Sequence, residues 1–426
     1  MSFLKTSTTV ASVGLAAILF ASCSSTSETA GESTSSSSTP STSAAASSTT
    51  PEVVSDIVEE RAPQPRLVAT YDGGILTLDA TTFEVLNDDK LPGFNRINSA
   101  GDGRHIFVST SAGFQLLDAG AWTEPHGDHS HSYSSDPQLT DTVYNTEKPG
   151  HVVNHAGKAV LFGDGDGKIQ ILETTSLLTG QDVKPDLKST LEAHHGVAVV
   201  LENGELLHTL GTSESRNGAI VFNSAGEEVA RNEECPGVHG ESAAAGEAIA
   251  VGCEDGVLIY KNGEFTKVQA PDSYGRIGNQ AGSDASPIVL GDYKVDKDAE
   301  LERPTRISLT NTETGDLTLV DLGTSYTFRS LGRDADGDAV VLGTDGQLHI
   351  IDPTSGDITD TIQVIDTWTE PLDWQEPRPT LQILKNLAYV TDPSTNTIHI
   401  VDLESGEIIT SAELPETPNE ITVISG

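Results

Sequence analysis

Eight times along this chain a short apolar run, a turn of Gly, Asn or Asp, and a second alternating run follow one another. That repeat limits the possible folds more than any other feature. The clearest copy is Ala339-Val340-Val341-Leu342, the turn at Asp345-Gly346, and Gln347 to Asp352; its partner is Leu387-Ala388-Tyr389-Val390, Ser394-Thr395-Asn396, and Thr397 to Asp402. Weaker copies centre on Gly74 to Asp79, His105 to Asp118, Ala159 to Glu173, Val197 to Asn223, Ile249 to Lys261 and Ile307 to Asp321. Period-two alternation broken by such turns means hairpins, and helical periodicity is nearly absent. Repeated hairpins at this spacing predict an all-β chain, a β-propeller of eight four-stranded blades with seven as the alternative. The Asp-Gly runs at Asp164 to Gly167 and Asp334 to Asp338 fall where the repeat needs turns and are read as turns, not calcium loops.

The first residues read as an export signal over 1–22. Lys5 supplies a charged start and Val10 to Phe20 an apolar run too short to span a bilayer comfortably. Phe20-Ala21-Ser22-Cys23 resembles the lipobox of bacterial lipoproteins, which implies lipidation at Cys23. Phe20 is not the residue usual at its position, so cleavage without lipidation is the alternative. Residues 23–64 are rich in Ser and Thr, and the stretch to about Pro51 has no aromatic residue. Such a segment buries too little apolar surface to offset chain entropy and is expected to be a disordered tether. The propeller is expected over 65–426. These segments place the chain outside the cytoplasm, on the outer face of the cytoplasmic membrane, held by a lipid anchor only.

A net charge of −40 excludes nucleic acid as a partner, because no basic patch meets phosphate. Cys235 and Cys253 remain as an even pair in an exported chain, for which a disulfide is the default and zinc thiolate ligation the runner-up.

Nine of the twelve histidines fall between His126 and His239, about a quarter of the length. They arrive as His126-x-x-His129-x-His131, His151-x3-His155, His194-His195 and His239-x-Glu241. Imidazole is a favoured zinc ligand near neutral pH, so these clusters point to metal. Three groups precede the first run of successive repeats, which would bring them to one rim of a propeller. Strand geometry narrows the set: neighbours face opposite ways, so only one of His194 and His195 readily joins a given site. In extended chain His151 and His155 stand roughly 13 Å apart and do not share an ion. His129 and His131 share a face, as do His239 and Glu241. His105, His208, His349 and His399 lie inside strand repeats and read as ordinary strand residues.

Four strings carry a family resemblance: Trp122 to Tyr133, Pro149 to His155, His194 to Val199, and Cys235 to Glu241. In this order they resemble the AztD family of zinc metallochaperones, from about Leu67 onward. The resemblance implies an exported propeller, not an enzyme, that carries zinc as cargo to the solute-binding protein of a zinc ABC transporter. Carried over, the candidate ligands are His126, His129, His131, His155, one of His194 and His195, and His239, with His129, His131, His155 and His195 foremost. His151 completes the candidate set. Some family members use a His- and Asp-rich mobile N-terminal segment in transfer, whereas the tether here has no histidine; the loop His126 to His131 is the local substitute. The chain is expected to act as a monomer. Competing readings are a zinc-dependent hydrolase or lactonase, with Glu241 or Asp128 as base, and a protein-binding scaffold.

Overall fold

The computed structural model describes residues 57–179 and 183–426. The export signal, Cys23 and the tether up to residue 56 lie outside the described residues. The described chain is almost wholly β, with one short helix, Thr174–Leu178, and no helix long and apolar enough to cross a membrane.

Most hairpins read from the sequence form the middle of an antiparallel sheet; Ile307 to Asp321 forms the outer two strands of its sheet. Ala339–Leu342 pairs with Gln347–Ile351, and Leu387–Asp392 with Thr397–Asp402. Alternation gives each such strand two apolar faces, because both faces of the sheet meet neighbouring sheets. Gly346 shows why the turns need glycine: its φ is +82°, and a Cβ there would lie 2.1 Å from the Ile365 carbonyl oxygen. An outer strand such as Val85–Lys90 has only one covered face and is mostly exposed.

Eight sheets of four strands result, one of them carrying an additional short strand, Gly275–Arg276. Seven run consecutively along the chain, apart from one insertion. The eighth joins the two ends: Ile421–Ile424 pairs with Arg66–Tyr71, in register Arg66 to Ile424, beside Gly74–Asp79 and Val85–Lys90. Ile421–Ile424 also lies against Arg96–Ser99 on one side and Leu381–Leu384 on the other. Sheets thus follow one another in a closed circle, the arrangement of a β-propeller.

The core sits between neighbouring sheets. Val340, Leu342 and Leu348 pack against Leu381, Ala388 and Val390 of the next sheet. Val199, Leu207 and Val221 pack in the same way against Ile249, Val251 and Leu258. Full burial of each such Val, Leu or Ile side chain contributes about 1.5–3 kcal/mol. Cys235 and Cys253 lie in this second interface as a disulfide, which decides between the two sequence alternatives. The bond ties the segment leading into His239–Ala244 to the end of its partner strand Ala248–Cys253.

Three sequence expectations are corrected. The tether does not extend in disorder to residue 64, because Val58–Glu60 is a strand paired with His129–Ser134. The run His126 to His131 is not a flexible loop: Ala121–His126 and His129–Ser134 form a hairpin whose turn is Gly127-Asp128. The positive φ of Gly127, +65°, suits the first position of a tight hairpin turn. Finally, two of the three runs taken as first strands after the histidine groups are second strands; Ala198–Val200 is the first strand of its sheet, as read. Pro149–His155 precedes Lys158–Gly163 in its sheet, and His239–Ala244 precedes Ala248–Cys253, so histidines lie on the innermost strands themselves.

Candidate metal centres

Among the described residues, two groups of three histidines bring one ring nitrogen each within 4.8 Å of one another. The first is His126, His129 and His131. Hairpin pairing sets His126 directly across from His129, and cross-strand partners share a face, as do residues two apart. His129 Nε2 and His131 Nε2 are 3.0 Å apart. Carboxylates orient the other nitrogens: Asp128 Oδ1 lies 3.1 Å from His129 Nδ1, and Glu59 Oε1 lies 2.7 Å from His131 Nδ1. Tyr133 stacks on Trp122, and the Arg104 guanidinium lies 3.8 Å from the Trp122 ring centroid, which fixes the hairpin to the propeller. The imidazoles themselves face solvent.

The second group is His151, His195 and His239, from three successive sheets. His151 is on Pro149–His155, His195 lies just before Ala198–Val200, and His239 begins His239–Ala244. Ring centroids are 5.0–5.5 Å apart. His195 Nδ1 meets Asp164 Oδ2 at 2.6 Å, and His239 Nδ1 donates to the Gly278 carbonyl at 2.7 Å. Both rings therefore keep Nε2 for a metal, the usual outer support of a metal-binding histidine. A bulge falls between His239 and Glu241, at Gly240. It breaks simple alternation, so that His239 joins the histidine group while Glu241 stands 3.9 Å from His151 Nδ1.

Burial dominates the electrostatics of this second group. It lowers the His239 pKa to about 3 and holds that of His151 well below its usual value. It raises the Glu241 carboxyl to about 8. Neutral imidazoles need shed no proton before they bind a metal. Zinc bonded tetrahedrally to nitrogens at about 2.0–2.1 Å would hold them roughly 3.3 Å apart. Small movements within either group reach that spacing. A cavity of about 560 Å³ opens onto the second group and is lined also by Phe94, Arg96 and Trp374.

The groups occupy opposite ends of the strands. Arg96, Ser109 and Thr110 line the cavity of the second group. Ser99, His105 and Asp118 mark the other end of the same sheet, since Arg96 pairs with Ser109, Ser99 with Ile106 and His105 with Asp118. The hairpin of the first group leaves the sheet just after Asp118. One strand length, roughly 17–20 Å, therefore lies between the two ends.

Six of the eight candidate histidines are brought together in this way. His155 and His194 are not. His155 Nε2 is 3.1 Å from both oxygens of Glu247. His194 is buried with its edge to Phe162, its nitrogens engaged by the Glu192 carbonyl and Thr209 Oγ1. His151, ranked behind His155 by the sequence, stands within the group. Sequence reasoning missed Asp164, read as a turn residue, and Glu59, read as tether. The four strand histidines His105, His208, His349 and His399 lie in strands as expected.

Fold and site define a β-propeller bearing two histidine groups of metal-ligating geometry. No protein-family model matches the chain. The zinc chaperone AztD of Citrobacter koseri is 28% identical over 377 residues, which are 84% of this chain and 86% of that protein. A crystal structure of Citrobacter koseri AztD has a TM-score of 0.73 at 26% identity, covering 87% of this chain and 99% of that one. The apo structure gives 0.72 at 25% identity, covering 86% and 98%. The dihydro-heme d1 dehydrogenase NirN shares the fold alone, with a TM-score of 0.51 at 12% identity over 84% of this chain and 74% of that one. The resemblance to the AztD family of zinc chaperones, read from the histidine strings, thus extends over most of the chain.

Proposed function

We propose that this chain is an extracytoplasmic zinc metallochaperone that delivers zinc to the solute-binding protein of a zinc ABC transporter by ligand exchange. It is exported, lipidated at Cys23, and acts as a monomer tethered to the membrane. The observation that carries the reading is the pair of three-histidine groups, each with carboxylate or carbonyl support behind its rings. His126, His129 and His131 form an exchange site open to solvent, and His151, His195 and His239 a shielded store. Three nitrogens hold zinc and leave a position where an acceptor's ligand enters before the first bonds break. No chemistry on a substrate is required. Glu241, the candidate base of a hydrolase, lies on the Nδ1 side of His151 in buried surroundings, which argues against that alternative.

The test is zinc stoichiometry by competition with a chromophoric chelator, followed by transfer to the transporter's binding protein. Two sites, one lost in His129→Ala/His131→Ala, with zinc passing to the acceptor, is the expected result. Binding no tighter than that of a generic histidine-bearing surface would sink the proposal.

A further inference from the structure

We propose that the group of His151, His195 and His239 takes a carboxylate from outside the chain as the ligand completing its metal shell, that Arg96 on the cavity wall meets it, and that Arg216 and Arg276 behind the histidines favour its charge. This rests on the zinc reading above and names the chemistry of the incoming ligand. Three imidazoles leave one place in a tetrahedral zinc shell. The nearby carboxylates of this chain have other work. Asp164 holds His195 Nδ1 and lies 3.4 Å from the Gly196 amide nitrogen, and Glu241 stands on the Nδ1 side of His151.

Local charge here runs against that of the whole chain, which is −40. Arg96 lines the cavity, 6.0 Å from the Trp374 ring. Arg276 packs against Gly278, whose carbonyl receives the His239 Nδ1 proton. Arg216 lies close enough to Arg276 for their like charges to act on one another. Arg96 and Arg216 bear electrostatically on His151, and Arg276 and Arg216 on His239. The acidic groups facing these arginines are Asp164 and Glu254, the latter 3.9 Å from Arg276 Nη1. Arg216 Nη1 is buried without a hydrogen-bond partner. A buried guanidinium N–H calls for an acceptor, and a guanidinium fork matches a carboxylate better than it matches an imidazole or a thiol. Clustered guanidinium groups would weaken a zinc site that stood alone. They strengthen one whose shell is completed by an anion.

Cobalt(II) in place of zinc gives a visible spectrum that reports its ligand set. The full chain carrying His126→Ala, His129→Ala and His131→Ala leaves the buried group as the reporter. Titration with acetate is expected to change the cobalt spectrum saturably. Arg216→Met and Arg276→Met, each still binding cobalt, should weaken the acetate effect by about tenfold. Cobalt binding in these variants certifies their fold. A short acidic peptide acting at lower concentration than acetate, with its Asn/Gln counterpart inert, would support the inference and assign the carboxylate to a protein segment. Acetate acting as well as the peptide would support it with a small free carboxylate as the source. A cobalt spectrum indifferent to both, or an acetate affinity unchanged in both arginine variants, overturns this inference alone. Failure to bind cobalt overturns the zinc reading and this inference with it.

Discussion

The two histidine groups use the same three side chains in opposite surroundings. On the hairpin, His126, His129 and His131 face water, held by pairing across a two-residue turn and by the carboxylates of Asp128 and Glu59. At the other end of the strands, His151, His195 and His239 come from three sheets, with His151 and His239 shielded and His195 at the more open side. A local site costs little to build and stands open enough to exchange. A site drawn from three sheets is only as good as the packing that aligns them, but in His151 and His239 it offers neutral nitrogens shielded from competing water.

That contrast can be broken most sharply at a ligand. His195→Ala should weaken zinc at the buried group by more than about a hundredfold, since loss of an outer partner alone costs about 10–100-fold. The hairpin site should be untouched, and chelator competition reads both. If both sites weaken, the groups are coupled and the comparison fails. Next in size is Cys235→Ser/Cys253→Ser. Removing a cross-link that spans 18 residues costs about 3 kcal/mol. The lower denaturant midpoint should come with weaker zinc binding at the buried group and unchanged binding at the hairpin, because the disulfide fixes the approach to His239. Asp164→Asn should cost the buried group about tenfold in zinc affinity, and Glu59→Gln should cost the exposed hairpin less, measured by the same competition.

A smaller effect separates the surroundings by pH. His239, lowered to about 3 by burial, contributes stability that is present above its unfolded value of 6.5 and is lost as pH falls from there towards 3. Glu241, raised to about 8, does the reverse: its contribution is complete below 4.5 and is lost as pH rises through 8. Glu241→Gln should therefore raise the melting temperature of the metal-free protein by a few degrees at pH 8 and hardly at all at pH 4.5. Equal shifts at both pH values would show that Glu241 is not held protonated by burial.

Much of the fold was legible because the middle strands are doubly covered. Each of the eight sequence repeats became the hairpin of one four-stranded sheet. Apart from Ala198–Val200, the innermost strands were not legible. Arg96–Ser99, Gln280–Ser283 and Leu331–Arg333 are short and carry polar or glycine residues, so alternation leaves no trace in them. Pro149–His155 escaped for a related reason: its polar residues serve the site and disguise the strand. The histidines were visible as strings, but their partition was not. Spacing along an extended chain correctly kept His151 apart from His155, yet nothing in it says which of the two meets His195 and His239. That depends on how three sheets turn about a common axis.

The pairing of Ile421–Ile424 with Arg66–Tyr71 also governs how the molecule comes to exist. Thr70 and Glu420, which bond across it, are 350 residues apart in sequence. Contacts so distant form late and slowly, because the loop they close must first be ordered or tolerated. The circle cannot be completed until Ile421–Ile424 has been made and is free to pair. Until then the strand Arg66–Tyr71 presents an unpaired edge of Leu67, Val68 and Ala69, open to any other strand it meets. Synthesis of this protein therefore includes an interval in which its first sheet needs protection.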